Sequence, residues 1–491
     1  MDAASSLAPY AHRARLALCL AVAPLLAGAG TPPPQGTETW YRILAADGAP
    51  IGHARSEARR GPDGVETVSE QQILVSNGGG DTRISERKVV REDGSGRPVA
   101  ISEYSRIGRS WSRLEARIGP GRAEIVRSTP ADRRSSTVTL APGVRFDSGV
   151  GLLRGWDRSA LPRLEFDNLN VGAMTIEHVV IEASPGAASP DGTFTALRRR
   201  YEGGELRSVG RLTVGPDGRV RSTTQPMMGT SVTIAISDRE SALKPHSPYR
   251  LLQSAMVKSP FRISSESMRG RIRYRFAYRD GLAFPFPQTP EQRADASAEG
   301  VTVDICTDCG PGLPTDKAAL GEALRSTAWL QSDHPRLKAI ARPIARLSTS
   351  DSRKMALLAA KARPYLGKID FAGHFSALET LDRGAGDCTE AAVLLAALGR
   401  SAGIPTRVAS GLVYSRENYH GVGNAFMPHS WTLAYVDGRW RSFDLALDSF
   451  DSTHIALTVG DGDSRSILAA GQLASLLEWK EMSEVRSRPR A

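Results

Sequence analysis

The chain has 491 residues, 41% hydrophobic and 24% charged, with a formal net charge of +10. This is ordinary globular composition, long enough for about two to four domains. The basic residues are scattered, and no basic stripe with interleaved aromatics occurs, so a nucleic-acid partner is not expected.

Arg13 and Arg15 precede "LALCLAVAPLLAGAG", an uncharged run that contains Pro24 and is too short to span a bilayer comfortably. With the small-residue site Ala27-Gly28-Ala29 it reads as a signal peptide over residues 1–29, with a short uncleaved anchor as the alternative. Cys19 lies early in the apolar core, not at its end, so it is no lipid-attachment cysteine. The mature protein is expected to be exported, periplasmic or secreted, with no membrane span after cleavage, in an oxidising compartment. A Pro-rich linker follows at 30–39.

Residues 40–240 alternate in short segments such as "TWYRIL", "RISERKVV" and "TIEHVVIEA". Turn signals at Asn77-Gly78, Asp191-Gly192 and Asp217-Gly218 separate them, predicting an antiparallel β-rich domain. Residues 241–314 read as a second β segment containing "SMRGRIRYRFAYRDGLAF" and "GVTVDIC". From 315 the period changes to helical in "KAALGEALRSTAWLQ", "HPRLKAIARPIARL" and "DSRKMALLAAKARPYLG". Strands return at Thr406–Ser415, His429–Val436 and Arg439–Ala446. A closing helix is expected over Ser466–Lys480, and a flexible tail over 481–491. The fold class is α+β: a β-rich region, then a domain over 315–480 with helices before strands.

Within that domain, "GAGDCTEAAVLLAALGRSAGIPTR" places Cys388 between Asp387 and Glu390. This D-x-x-E is a capping-box pattern, so Cys388 opens a helix that Gly403 and Pro405 end. The unpaired N–H groups and helix dipole there favour a thiolate, while the two flanking carboxylates oppose it, so a base is needed. A cysteine packed as a small apolar residue is the alternative. Downstream, Asp437-Gly438 between two alternating strands predicts a two-residue hairpin turn that pairs Val436 with Arg439. Trp431 then opposes Asp444, and His429 lies diagonally on the same face as Asp444. A thiol at a helix start, an imidazole and an orienting carboxylate form a candidate nucleophile, base and orienter in Cys388, His429 and Asp444.

Three blocks, "LDRGAGDCTEAAVLLAALGRSAGIPTRVASGLVYS", "HSWTLAYVDGRW" and "FDLALDSFDSTHIAL", resemble the transglutaminase-like superfamily, in particular its exported bacterial members. "WLQSDHPRL" is similar to the lead-in helix of that group, and the resemblance covers about Thr315 to Thr458. It implies a papain-like α+β thiol domain behind a β-rich N-terminal region, with Cys388, His429 and Asp444 as the triad. Many members carry a proline after the aspartate, where this chain has Leu445. The implied chemistry is attack of Cys388 on a peptide or glutamine carboxamide. The resulting thioester is resolved by water, as in a protease or amidase, or by an amine, as in transamidation. The partner is then a peptide or protein substrate, with no cofactor. The Cys388 backbone N–H is the expected oxyanion donor. The loop before His429, with Tyr419, His420 and Asn424, is a candidate substrate loop, or simply a long surface loop.

Cys306-Thr-Asp-Cys309 is read as a small structural disulfide, since no second Cys pair completes a zinc site and "GPGLP" follows where a redox pair would open a helix. Reduced or catalytic thiols, or a metal held together with histidines from elsewhere, are the alternatives. His454, in "DSTHIAL", either serves the site or holds the strand after Asp444. His53, His178, His246, His334 and His374 show no metal spacing. Two other functions stay open: an envelope binding or assembly protein that works through the β-rich region with the thiol domain as scaffold, and a disulfide-handling protein using Cys306 and Cys309.

Overall fold

The computed structural model describes residues 38–76, 81–108, 110–146, 150–172, 174–184, 186, 189–227, 230–250, 253, 255–279, 282–297, 299–367, 374–417 and 422–485. The expected signal peptide and residues 30–37 of the expected linker lie outside these. The first strand opens at Glu38, two residues inside the expected linker.

Fourteen strands between Glu38 and Ser237 form one antiparallel sheet. The first, Glu38–Ala45, pairs with the last, Thr230–Ser237, and every other pair joins chain neighbours. The edges are therefore Arg133–Thr139 and Arg163–Asn170. Alternating residues such as Ile43, Ile73, Ile84 and Ile234 turn to one buried side, which is what a period of two dictates. The hairpin ending at Arg133–Thr139 meets the helical region. There the Arg127 guanidinium lies 4.3 Å from the Trp329 ring centre, and Arg134 pairs with Asp333 at 3.0 Å.

The α+β part is built around one buried helix, Cys388–Ser401. Leu394, Leu395 and Leu398 are fully buried against Leu337, Leu358 and Leu378 of three surrounding helices, Pro335–Ala345, Asp351–Ala362 and Ala377–Arg383. A helix that is apolar all round must be packed on every side, and this one is. A five-stranded sheet flanks it, with Ala425–Val436 between Thr406–Ser415 and the short Val257–Lys258. Arg439–Phe443 pairs with the same Ala425–Val436 strand, and Ile455–Gly460 pairs with Thr406–Ser415. Two hydroxyls strap the helix to this sheet: Thr432 Oγ1 donates to the Ala392 carbonyl at 3.0 Å, and Thr406 Oγ1 to the Ala396 carbonyl at 2.8 Å.

Two expected helices are shorter than their periodicity suggests. "KAALGEALRSTAWLQ" is helical only over Lys317–Glu322. Thr327 Oγ1 accepts from the Trp329 and Leu330 amides at 3.3 and 3.0 Å, a local turn that competes with the helix. The closing helix runs Ser464–Ser475 and stops. Leu477–Glu484 is a strand, including residues expected as flexible tail. It pairs with Ile272–Tyr278 in a separate four-stranded sheet. Trp479 drives this, because its ring sits 4.8 Å from Phe276 and 4.7 Å from Phe426. Aromatic burial there outweighs the local helical period. No helix among the described residues is long and apolar enough to cross a membrane.

Candidate active site

Asp387 caps the central helix by accepting from the Thr389 amide at 2.7 Å. Glu390 completes the capping box, accepting from the Asp387 amide at 2.9 Å, while its other oxygen takes the Phe375 amide at 3.0 Å. The first helical residue is Cys388, as the D-x-x-E spacing requires. Its side chain is buried against Val413 and Met427. The Ser430 amide, adjacent to His429, is directed at the sulfur.

Burial pushes the Cys388 thiol well above its ordinary value, and the Asp387 carboxylate adds to this. The Ser430 amide works the other way, and Glu390 and Asp444 raise the thiol further. The helix start was expected to favour a thiolate. The surroundings of Cys388 reverse that sign, because desolvation and nearby carboxylates exceed what one N–H and a helix dipole supply.

The hairpin has the expected register, with Val436 opposite Arg439 and Thr432 opposite Phe443. Asp437, at φ 51°, and Gly438, at φ 82°, make its two-residue turn. One residue past the ladder, Asp444 Oδ2 meets His429 Nε2 at 2.6 Å. His429 Nδ1 carries no hydrogen bond among the described residues. Asp444 Oδ1 accepts from the Ala446 and Leu447 amides at 2.8 and 2.9 Å, so the carboxylate itself shapes the turn. Leu445, where a proline is common, is buried in the helical core instead.

A second imidazole also reaches Asp444. His454 Nε2 lies 3.0 Å from Asp444 Oδ2, and its Nδ1 lies 3.1 Å from Asp451 Oδ1. Burial would raise the Asp444 carboxyl, but His429 and His454 outweigh it and hold the group well below the usual carboxylate range. Burial likewise opposes charge on His454, yet Asp444 and Asp451 outweigh it and raise that imidazole to about 9. In the sequence, the one local feature that ties His454 to this row is Asp451, three residues before it.

The donor atoms of His429, Asp444 and His454 lie within 4.8 Å of one another, a spread compact enough for a metal ion. The Asp444 oxygen facing both rings is already engaged by both of them.

Of the candidate loop residues, Tyr419 and His420 lie outside the described residues. The Asn424 side chain accepts from the Tyr414 hydroxyl at 2.8 Å, which fixes the turn entering the His429 strand. The expected Cys306–Cys309 disulfide is not formed, and both residues are free thiols. The one S–H of Cys309 instead has two backbone acceptors in reach, the carbonyls of Glu291, at 3.3 Å, and Asp304, at 3.7 Å. Burial, and then the neighbouring Cys306, push Cys309 up to about 12.

None of the curated proteins matches the chain. Among solved structures it is similar to a beta-barrel-like protein from Brucella abortus, at 12% identity and a TM-score of 0.33, over 41% of this chain and 95% of that one. It is similar to a "Putative Cysteine Protease" from Cytophaga hutchinsonii, at 15% identity and a TM-score of 0.27, over 45% of this chain and 84% of that one. It is similar to the periplasmic domain of TgpA from Pseudomonas aeruginosa, at 13% identity and a TM-score of 0.27, over 39% and 87%. Residues 338–445 match the core model of the transglutaminase-like superfamily. That span carries Cys388, His429 and Asp444, and residues 338–445 of this chain are a transglutaminase-like core domain.

Proposed function

We propose that this chain is an exported thiol enzyme acting on peptide or glutamine carboxamide bonds through Cys388, His429 and Asp444. The observation that supports it most is the buried His429–Asp444 pair at 2.6 Å, in one domain with a cysteine at the start of a capped helix that has the Ser430 amide, next to His429, directed at its sulfur. Asp444 binds Nε2, which leaves Nδ1 as the proton-transfer nitrogen.

His429 Nδ1 takes the Cys388 proton as the sulfur attacks the carbonyl carbon. The Cys388 amide, at a helix position where no intrahelical acceptor exists, donates to the developing oxyanion. The tetrahedral species collapses with cleavage of the C–N bond, and His429 protonates the departing amine. Water or a second amine, deprotonated by His429, then attacks the thioester carbon. The acid or the new amide leaves, and Cys388 regains its proton. Because the resting thiol is held protonated, proton transfer accompanies attack, and substrate binding brings the two together.

A second reading has one observation in its favour. Cys388 is only 5% exposed and lies beside buried Asp387 and Glu390, surroundings that suit a scaffold as well as a nucleophile. In that reading the β-rich sheet is the working part of an envelope binding or assembly protein.

A peptide-like thiol electrophile, applied at neutral pH with mass-spectrometric mapping, separates the two. Selective modification of Cys388 that is lost in His429→Ala supports the enzyme. Equal labelling of all three thiols, or none at Cys388, supports the scaffold. Fast labelling confined to Cys306 or Cys309 supports disulfide handling.

A further inference from the structure

Asp444 is shared between two imidazoles, and the proposed mechanism uses only one. His454 is fully buried, with its ring 5.2 Å from Trp431, 4.8 Å from Phe450 and 5.6 Å from His429. Its Nε2 faces Asp444 Oδ2 at 3.0 Å, and its Nδ1 faces two acceptors, Asp451 Oδ1 and the Asp451 carbonyl, both at 3.1 Å, against one longer donor, the Asp451 amide at 3.3 Å, which could bond only an unprotonated Nδ1. Asp451 is itself held, since its Oδ1 also accepts from the Thr453 amide at 2.9 Å and the Thr453 hydroxyl at 2.6 Å. In space the row runs His429, Asp444, His454, Asp451, three buried groups that end in a partly exposed carboxylate with its own anchors.

We propose that His454 is a positioning residue, an imidazolium that bridges Asp444 and Asp451 and fixes the Asp444 carboxylate against His429. This rests on the reading of His429 as the base. An unbridged carboxylate on the turn after a strand has one free rotation about its Cβ–Cγ bond. Two amides on Oδ1 and two imidazoles on Oδ2 remove it. Only a doubly protonated ring donates to both carboxylates at once. The other charged groups around His454 agree with this. Glu291, buried near it, is a third carboxyl acting on the ring, and the one facing imidazole, His429, is separated from it by Asp444. Asp444 is one of the carboxylates that raise the Cys388 thiol, and a positive charge on His454 offsets it.

The test uses the full mature chain. Imidazole nitrogen shifts of His454, read by 15N NMR at pH 7.5, are expected to show both nitrogens protonated. One unprotonated nitrogen overturns the bridge. The rate of Cys388 alkylation by iodoacetamide is then followed against pH in wild type, His454→Gln and Asp451→Asn. Both variants are expected to move the profile about one unit to higher pH, a roughly tenfold slower rate at pH 7.5, the usual size for loss of a group that orients an active-site ligand. A merely structural role lowers thermal stability and leaves the midpoint in place. Asp451→Asn keeps the packing and removes only the second charge, so it reports even if His454→Gln does not fold. If His429→Ala alkylates at the wild-type rate, the base reading fails, and the positioning role with it. If His429→Ala is slow while both other profiles stay unmoved, only the assignment of His454 fails.

Discussion

His429 Nε2 and Asp444 Oδ2 meet at 2.6 Å, and both side chains are almost wholly buried. Removing one partner of such a pair leaves an uncompensated charge. Asp444→Ala also abandons His454 and the Ala446 and Leu447 amides. A loss of about 3–5 kcal/mol in unfolding free energy is expected, measured by urea titration at pH 6. His429→Ala, which leaves Asp444 with His454 and its two amides, is expected to cost less.

The thiol gives a kinetic prediction. Burial and Asp387 hold Cys388 protonated at neutral pH. Its alkylation by iodoacetamide is therefore expected to accelerate roughly tenfold per pH unit from pH 7 to 9, since only the thiolate reacts. A rate already flat at pH 6 would indicate a preformed thiolate–imidazolium pair and would contradict the electrostatics of the site.

Stability is expected to fall on the alkaline side. The folded-state value of His454 is raised to about 9, above the ordinary 6.5. Its contribution is fully present below about pH 6.5 and is lost as pH rises through 9, about 3 kcal/mol in all. Asp444 and Asp451 are lowered, so theirs is present above about pH 4 and lost on further acidification. Urea midpoints should thus be highest between about pH 4 and 6.5. His454→Gln should flatten the decline between pH 6.5 and 9. An equally steep decline in that variant would assign the effect elsewhere.

The C-x-x-C pair gives a simpler prediction. The Cys309 S–H has two backbone carbonyls in reach, and burial raises its thiol to about 12. It is expected to resist alkylation at pH 8 in the folded chain and to react once urea unfolds it. Mapping of modified peptides checks this. Rapid reaction of native Cys309 would restore a redox role for the pair.

Much of the site was legible beforehand because its determinants are local. The D-x-x-E spacing sets where the Cys388 helix begins, and Asp437-Gly438 sets the hairpin register that brings Asp444 toward His429. Both are short-range rules of backbone geometry. The strand at Leu477–Glu484 was not legible, because "LLEWK" continues a helical period. Only Phe276 and Phe426, far away in sequence, give Trp479 a reason to leave it.

The sequence by itself determined the residues of the candidate site, the caps that place them and the α+β class, all through spacing. Tertiary structure alone decided the sign of the electrostatics at Cys388 and the place of His454. Burial sets the cost of a thiolate, and burial depends on Val413, Met427 and the buried carboxylates around the helix start. The second imidazole reaches Asp444 only because Thr406–Ser415 pairs with both the His429 strand and the strand that follows His454. A side chain's charge state is a property of what surrounds it, and those surroundings are assembled from distant parts of the chain.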